Sequence, residues 1–347
     1  MILILLFSLF LPATASASIF TLSYPQSRGP IRTRTQNPLF LQFLGDPIEE
    51  TKISQKGTWD LSVETTFSNL FERNAQTTGT GIDLDMELQR TALEVRYSPW
   101  RSHEMGIEIP FLSFSAGFLD PFLEGYHTAF GLPNAGREFV DQNRFSYQIM
   151  EDGVVIYQAD QSTFSPSDLV VWHKMKIRDE SAGFPAIAAK TSLKFPTGSP
   201  SEATGSGHVD FGFSLLADKR IGRFTFTTQA GFLALGGHET LGPILKGGAI
   251  VFGQAVEFNV FQFLSLLGQV TGNSPLFKNV TISQLTEPVL DLTFGLRGEF
   301  FAGRKPSDFG PVRPRKTIRY LVGFSEDPLP NGPSVDFSLI FRVGTDF

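Results

Sequence analysis

The sequence predicts an all-β fold, a transmembrane antiparallel β-barrel of about twelve strands with a helix-bearing external loop. Three observations lead there: segments of roughly ten residues in which apolar and polar side chains alternate, connections that switch between short and long, and an amphipathic last strand ending on Phe347. Composition points the same way. Phe accounts for 35 residues against 3 Trp and 6 Tyr, so the rings call for an apolar solvent around the fold rather than for interior packing.

The chain opens with an apolar run from Ile2 to Leu11, interrupted by Ser8, and then Ala15-Ser16-Ala17 in the A-x-A cleavage pattern. That run is shorter than the roughly 20 residues a spanning helix needs, and no comparable run recurs. Residues 1–17 therefore read as a signal peptide, although no Lys or Arg precedes the run. The expected destination is the bacterial outer membrane. Residues 18–56 carry Arg28, Arg32 and Arg34 ahead of Asn37–Leu44, and read either as a periplasmic segment or as a lumen plug. The barrel is expected over 57–347.

The first strand alternates Trp59, Leu61, Val63 and Phe67 with Asp60, Ser62, Glu64 and Thr66. In the second, Ile82, Leu84, Met86 and Leu88 alternate with Asp83, Asp85 and Glu87. The phase then slips, Leu93, Val95 and Tyr97 become the apolar set, and a β-bulge near Arg90 would account for it. Met105, Ile107, Ile109 and Phe111 form the third apolar row. Two later strands oppose Leu169, Val171, Met175 and Ile177 to Lys174 and Lys176, and Ile187, Ala189, Leu193 and Phe195 to Lys190 and Lys194. The rows from Val209, Phe224, Ile250 and Leu264 follow, and then those from Leu290, Ile318 and Val335. Short links fall at Trp100–His103, Asp179–Phe184, Asp218–Gly222 and Phe261–Gln262. Long ones fall at Phe71–Gly81, Pro196–Gly207, Gly236–Lys246 and Asn273–Glu287. The link at Gly303–Lys316 is long where a short turn is expected.

The long excursion after the third strand has two features. Phe118, Leu119, Phe122, Leu123, Tyr126 and Phe130 stand at helical spacing, with Pro121 leaving the helix start open. Asn143–Ala159 carries a hairpin about Asp152-Gly153; if it joined the wall, the barrel would have fourteen strands. At the other end, Phe347 with Thr345, Val343, Phe341 and Leu339 in phase resembles the signal read by the barrel assembly machinery. An unpaired strand end suits recognition by strand addition.

Several segments resemble an uncharacterised family of Gram-negative outer-membrane barrels, described as a domain of unknown function. They are Gln36-Asn37-Pro38-Leu39 with Phe43-Leu44, and Ala116-Gly117-Phe118-Leu119-Asp120 running through Phe122, His127, Phe130-Gly131-Leu132-Pro133 and Arg137. Leu193-Lys194-Phe195-Pro196-Thr197-Gly198, followed by Gly205-Ser206-Gly207-His208, Asp210 and Lys219, is similar to an element of barrels associated with aromatic-compound (phenol meta-pathway) catabolism. The resemblance covers nearly the whole mature chain and implies small-molecule passage.

Three readings stand for the helical segment: a cap in the barrel mouth, a helix on the membrane surface, and packing on the rim. The first makes Phe118, Asp120, Phe122, His127, Phe130 and Arg137 the substrate contacts. The expected lumen charges are Asp60, Glu64, Asp83, Asp85, Glu87, Glu94 and Glu108 on one side, with a single Arg96, and Lys174, Lys176, Lys190 and Lys194 on the other. Such walls would either set a transverse field across a pore or fill a narrow barrel with salt bridges. Arg297, Arg319, Arg342, Asp291, Glu299 and Asp336 suggest an ion network near barrel closure.

Without Cys there is neither a disulfide framework nor a thiolate metal site, and a net charge of −6 without basic runs argues against nucleic acid. None of His103, His127, His173, His208 and His238 stands in the H-x-S arrangement of outer-membrane lipid hydrolases. His208 and Asp210 share a face and could act together or bind a metal, but no catalytic residue or metal site is assigned. The functional expectation is a passive channel or transporter for small apolar or aromatic molecules, not an enzyme and without cofactor. A sealed structural barrel and an outer-membrane hydrolase stand behind it. The expected partners are outer-membrane lipid, the assembly machinery and a small apolar solute.

Overall fold

A computed structural model describes residues 27–74, 78–131, 139–261, 263–302, 316–329 and 332–347. The expected signal peptide, Arg137 and nearly all of the 303–316 link lie outside them. In chain order the elements are α1 (Pro38–Leu41), β1 (Trp59–Asn74), β2 (Thr80–Trp100), β3 (His103–Ser115), α2 (Asp120–Phe130), β4 (Ser146–Glu151), β5 (Val154–Gln158) and β6 (Ser162–Pro166). They continue with β7 (Leu169–Arg178), β8 (Ala186–Phe195), β9 (Asp210–Ile221), β10 (Phe224–Ala234), β11 (Gly248–Phe261) and β12 (Leu264–Asn273). The last are α3 (Ser283–Thr286), β13 (Val289–Ala302), β14 (Lys316–Glu326) and β15 (Phe337–Asp346).

Twelve antiparallel strands close in the order β1-β2-β3-β7-β8-β9-β10-β11-β12-β13-β14-β15 and back to β1. The closing seam pairs Asp60 with Asp346 through to Asn69 with Phe337. Below it, Phe347 and Trp59 exchange two backbone hydrogen bonds of 3.0 Å. Closure leaves no barrel edge, as a lipid solvent requires. The odd-numbered residues of β1 and β15 point outward, and Val63, Phe67, Phe341 and Val343 are exposed there. At the periplasmic end the outer face carries stacked aromatic pairs: Trp59 with Tyr97 at 4.5 Å, Phe300 with Tyr320 at 5.0 Å and Phe261 with Phe263 at 5.4 Å. Trp59, Tyr97 and Tyr320, which carry a polar edge, suit that interface.

The links differ slightly from expectation. β1 runs on to Asn74, and β9 runs through Asp218 to Ile221, so its turn sits at Gly222–Arg223.

The bulge expected near Arg90 is absent. β1 and β2 pair without a register shift from Trp59–Tyr97 to Asn74–Ile82. Hence Ile82, Leu84, Met86 and Leu88 face inward on the same side as Arg90, Glu94 and Arg96, and Asp83, Asp85 and Glu87 face outward. The polarity inverts because β2, with 21 residues, outruns the membrane. At about 3.3 Å per residue and a tilt near 40° it rises roughly 50 Å, twice the ~25 Å apolar band. Above the band the outside is water, and the inside is an apolar core.

The β4–β5 hairpin forms about Asp152 and Gly153, both at positive φ (50° and 76°) as a two-residue turn of type I′ demands. It pairs with the tip of β2 (Thr80–Asp85), while β6 pairs with the upper part of β3. The hairpin thus extends the wall above the membrane without entering the closed twelve-stranded ring.

Candidate functional site

The lumen holds a folded segment of the chain. From the periplasmic end, Arg28 donates from its backbone N–H to Glu257 and from Nη1 to Asn259 and Ser265, and pairs with Glu299 at 3.3 Å. Higher up, the backbone of Ile31 is held in both directions by the amide of Gln269. At the top Asn37 caps α1 through its side chain and donates to Pro333 O on the β14–β15 loop. The chain then descends: Leu44 N–H donates to Asp210, Glu49 N–H to Gln229, Thr51 to Asp218 and Ser54 N–H to Glu104. Residues 27–58 therefore make an ascending and a descending leg inside the barrel.

Each leg meets wall charges of opposite sign. Arg32 pairs with Glu94 of β2 and, at 3.3 Å, with Glu49. On the other side Lys174 Nζ lies 3.0 Å from Glu49 and 3.2 Å from Glu104, and Lys190 lies 3.0 Å from Asp46 and 3.2 Å from Glu49. Buried charges are costly unless paired, and each of these lies within ion-pair distance of an opposite charge. Trp172 lies among them, with Arg32, Arg96, Lys174 and Lys190 all within 6 Å of its ring. Of the two expectations for the charged walls, the arrangement is the salt-bridged one, with the luminal segment supplying much of the counter-charge.

The upper lumen is apolar. Phe40 and Phe43 of the luminal segment pack on Phe277 at 5.5 and 6.3 Å, within one buried cluster that takes in Leu84, Leu88, Leu112 and Leu245. One polar node crosses this core. Gln42 donates to the Tyr147 hydroxyl at 3.0 Å, and its Oε1 lies 2.8 Å from the Tyr157 hydroxyl and 3.0 Å from His238 Nε2. His238 Nδ1 accepts from the N–H groups of Thr240 and Leu241, so the ring proton sits on Nε2. Burial pushes the His238 imidazole down to about 4.

The lysine of the Lys194–Gly198 element is buried against Asp168, at 3.3 Å from Asp210 and 2.6 Å from Ser206 Oγ. Asp168 also accepts from Gly198 N–H and Ser206 N–H, which ties the two halves of that motif together. Asp210 is bound to Lys194, Leu44 N–H and Gly236 N–H, whereas His208 bonds to Ser206; the two do not form a pair.

Open space lies at the periplasmic end. A cavity of about 630 Å³ is bounded by Arg28, Glu50 and Lys52 of the luminal segment and by β1, β2, β13, β14 and β15. Nearer the top the voids beside Arg34 shrink to about 40 Å³ and below, too small for a solute.

The other expected site residues fall as follows. Asp60 pairs with Arg319, Glu64 with Arg342 at 3.3 Å, and Glu108 with Arg90, all in the lumen. Lys176 sits at the periplasmic rim, bound to Asp179 at 3.0 Å. Asp83 and Asp85 are not lumen charges; they face out from β2 and pair with Arg144 of the excursion, Asp85 at 3.5 Å. The mouth cap is also overturned. α2 packs on the outer face of the wall: Asp120 accepts from Asn69, Glu87 accepts from Phe118 N–H and Leu119 N–H, and Phe122 lies 6.5 Å from Phe337. All of those wall residues point outward, so Phe118 (75% exposed) and Phe122 (57%) cannot line the mouth. Pro121 falls in the first turn, where a missing N–H costs nothing. The side chains of His127 and Phe130 lie outside the described residues. His173 stacks on His103 at 5.2 Å on the outer face, its Nε2 3.0 Å from His103 Nδ1. Asp46, Glu49, Glu104 and Asp168 were not singled out in the sequence. Lys174, Lys190 and Lys194, three lysines on one buried face, were the signal that carboxylates must meet them.

A family model described as "Protein of unknown function (DUF3187)" matches residues 2–303. No curated protein matches the sequence. Among solved structures the chain is similar to the COG4313 outer membrane channel from Pseudomonas putida F1, with TM-score 0.53, 14% identity, and coverage of 86% of this chain and 98% of that one. The translocator domain of the autotransporter NalP from Neisseria meningitidis gives TM-score 0.40 and 9% identity over 86% and 90%. A Pseudomonas aeruginosa FadL homologue gives 0.37 and 9% over 92% and 99%. The fold is that of a bacterial outer-membrane barrel.

Proposed function

The chain belongs to the DUF3187 family, and from that premise we propose that it is a plugged outer-membrane channel for small molecules, with residues 27–58 as the plug. The observation that carries the reading is the way the plug is held. Its lower half is tied by ion pairs of Arg32, Asp46 and Glu49, beside only a small apolar cluster about Ile31, above a cavity of about 630 Å³. Apolar packing would seal a lumen more cheaply than buried charge, so the charged contacts favour a plug that can be released. Phe40, Phe43, Phe277 and Tyr157, buried in the upper lumen, would line the path once the plug is released and favour small apolar or aromatic solutes.

A sealed structural barrel is the second reading, favoured by the dense apolar core of the upper lumen. Single-channel conductance of the full mature protein, beside a version lacking residues 18–50, separates the two. A plugged channel gives rare openings in the intact protein and steady ones in the truncated form. Silence from both, with refolding shown by heat-modifiable migration, would leave the sealed barrel.

A further inference from the structure

We propose that the periplasmic cavity is a binding site for small carboxylates with an apolar body, of which benzoate is the simplest probe. The inference names a solute class for the plugged channel and rests on that reading only for the route in. Three arginines stand on adjacent strands of its wall: Arg297 on β13, Arg319 on β14 and Arg342 on β15. Arg297 and Arg342 are both directly opposite Leu321, and Arg319 is two residues below it. Such diagonal neighbours lie about 7–8 Å apart, so the three guanidinium groups border one small volume.

They are not equally neutralised. Arg319 pairs with Asp60 and Asp346, and Arg342 with Glu64 and Glu94. Arg297 differs: its hydrogen bonds run from Nη1 to the carbonyls of Gly29 and Pro30, each 3.1 Å, and among the described residues no carboxylate lies within ion-pair distance of it. The plug backbone thus fixes this guanidinium without a carboxylate in direct contact among the described residues, Glu50 and Glu257 acting on it only from a distance, and leaves its remaining donors for the cavity it lines. A planar fork of N–H donors is the geometry a carboxylate accepts. Leu321, buried between Arg297 and Arg342, backs onto Ile31, Leu267 and Ile340 and gives the body of the ligand an apolar floor. Glu50 also lines the cavity and acts on Arg297 electrostatically from beyond ion-pair distance.

The test is titration of the refolded full-length mature protein with benzoate, and with benzyl alcohol as its uncharged match. Saturable binding of benzoate alone is expected. Arg297→Met should weaken it at least ten-fold. Thr317→Glu, which adds a carboxylate at the cavity rim and leaves every arginine in place, should do likewise and carries the test if the first variant fails to refold. Absence of benzoate binding, equal binding of the alcohol, or unchanged affinity in the variants overturns the site. Conductance of the truncated protein is read in parallel. Benzoate binding with no conductance sinks the channel and keeps the site; conductance with no binding does the reverse.

Discussion

Trp172 shows how much of the interior turns on single residues. Its ring lies flat against β3 because position 106, directly across the β3–β7 pair, is Gly; a Cβ there would overlap the indole. Gly106→Ala should therefore displace the ring and the four cations around it, at about 1–3 kcal/mol. The expected readout is a lower temperature of heat-modifiable migration. His238 has the opposite character, since its effect depends on pH. Its folded pKa of about 4 is below the ordinary value near 6.5, so the stability it contributes is complete above that value and is lost as pH falls through 4. Protonation also ends acceptance at Nδ1, which holds the 238–241 turn. Protease nicking of the β10–β11 loop should rise between pH 6 and pH 4, and His238→Gln should flatten that profile. On the β14–β15 loop Asp327 is shifted the other way, up to about 6 by burial. Its stability contribution is present below pH 4 and lost as pH rises through 6. Asp327→Asn, which keeps an acceptor for Leu329 N–H, should stabilise the protein near pH 7 by about 1 kcal/mol and leave it unchanged at pH 3.5.

At the scale of elements, the luminal segment is the part whose role depends most on its partners. Glu49 alone touches Arg32, Arg96, Lys174 and Lys190. Glu49→Gln leaves those cations without their shared anion, and removing one member of a buried ionic group costs about 3–5 kcal/mol. The barrel wall has its own hydrogen bonds and should survive, so the expected result is a folded barrel with more frequent openings in planar bilayers. An unchanged conductance record from a folded Glu49→Gln protein would contradict release of the plug. For α2, helical spacing was legible but its address was not. The apolar residues that suggested a mouth cap are divided between the outer wall, where Leu123 is buried, and solvent, where Phe118 and Phe122 stand.

For the whole molecule, the chain ends close the ring. Phe347 and Trp59 meet at the seam, and β1 and β15 pair over ten residues. We propose that Phe347 also presents the last strand to the assembly machinery. Deleting it should lower the folded fraction in the outer membrane of cells several-fold while leaving refolding into lipid vesicles nearly unchanged. Equal losses in both would assign Phe347 to barrel stability alone.

Strand number and the outward apolar rows were legible because they depend on period-two alternation against lipid, which any spanning strand must show. Lys174, Lys190 and Lys194 were legible as inward charges for the same reason. The alternation rule failed at Asp83 and Asp85, where the strand leaves the membrane and the solvent changes sides. The sequence alone determined a closed outer-membrane barrel with charged walls. Only the tertiary structure decided that residues 27–58 fill it, that α2 stays outside, and that Arg297 donates to the plug backbone. Those outcomes depend on which charges and apolar faces meet between segments far apart in the chain, and local periodicity holds no record of such meetings.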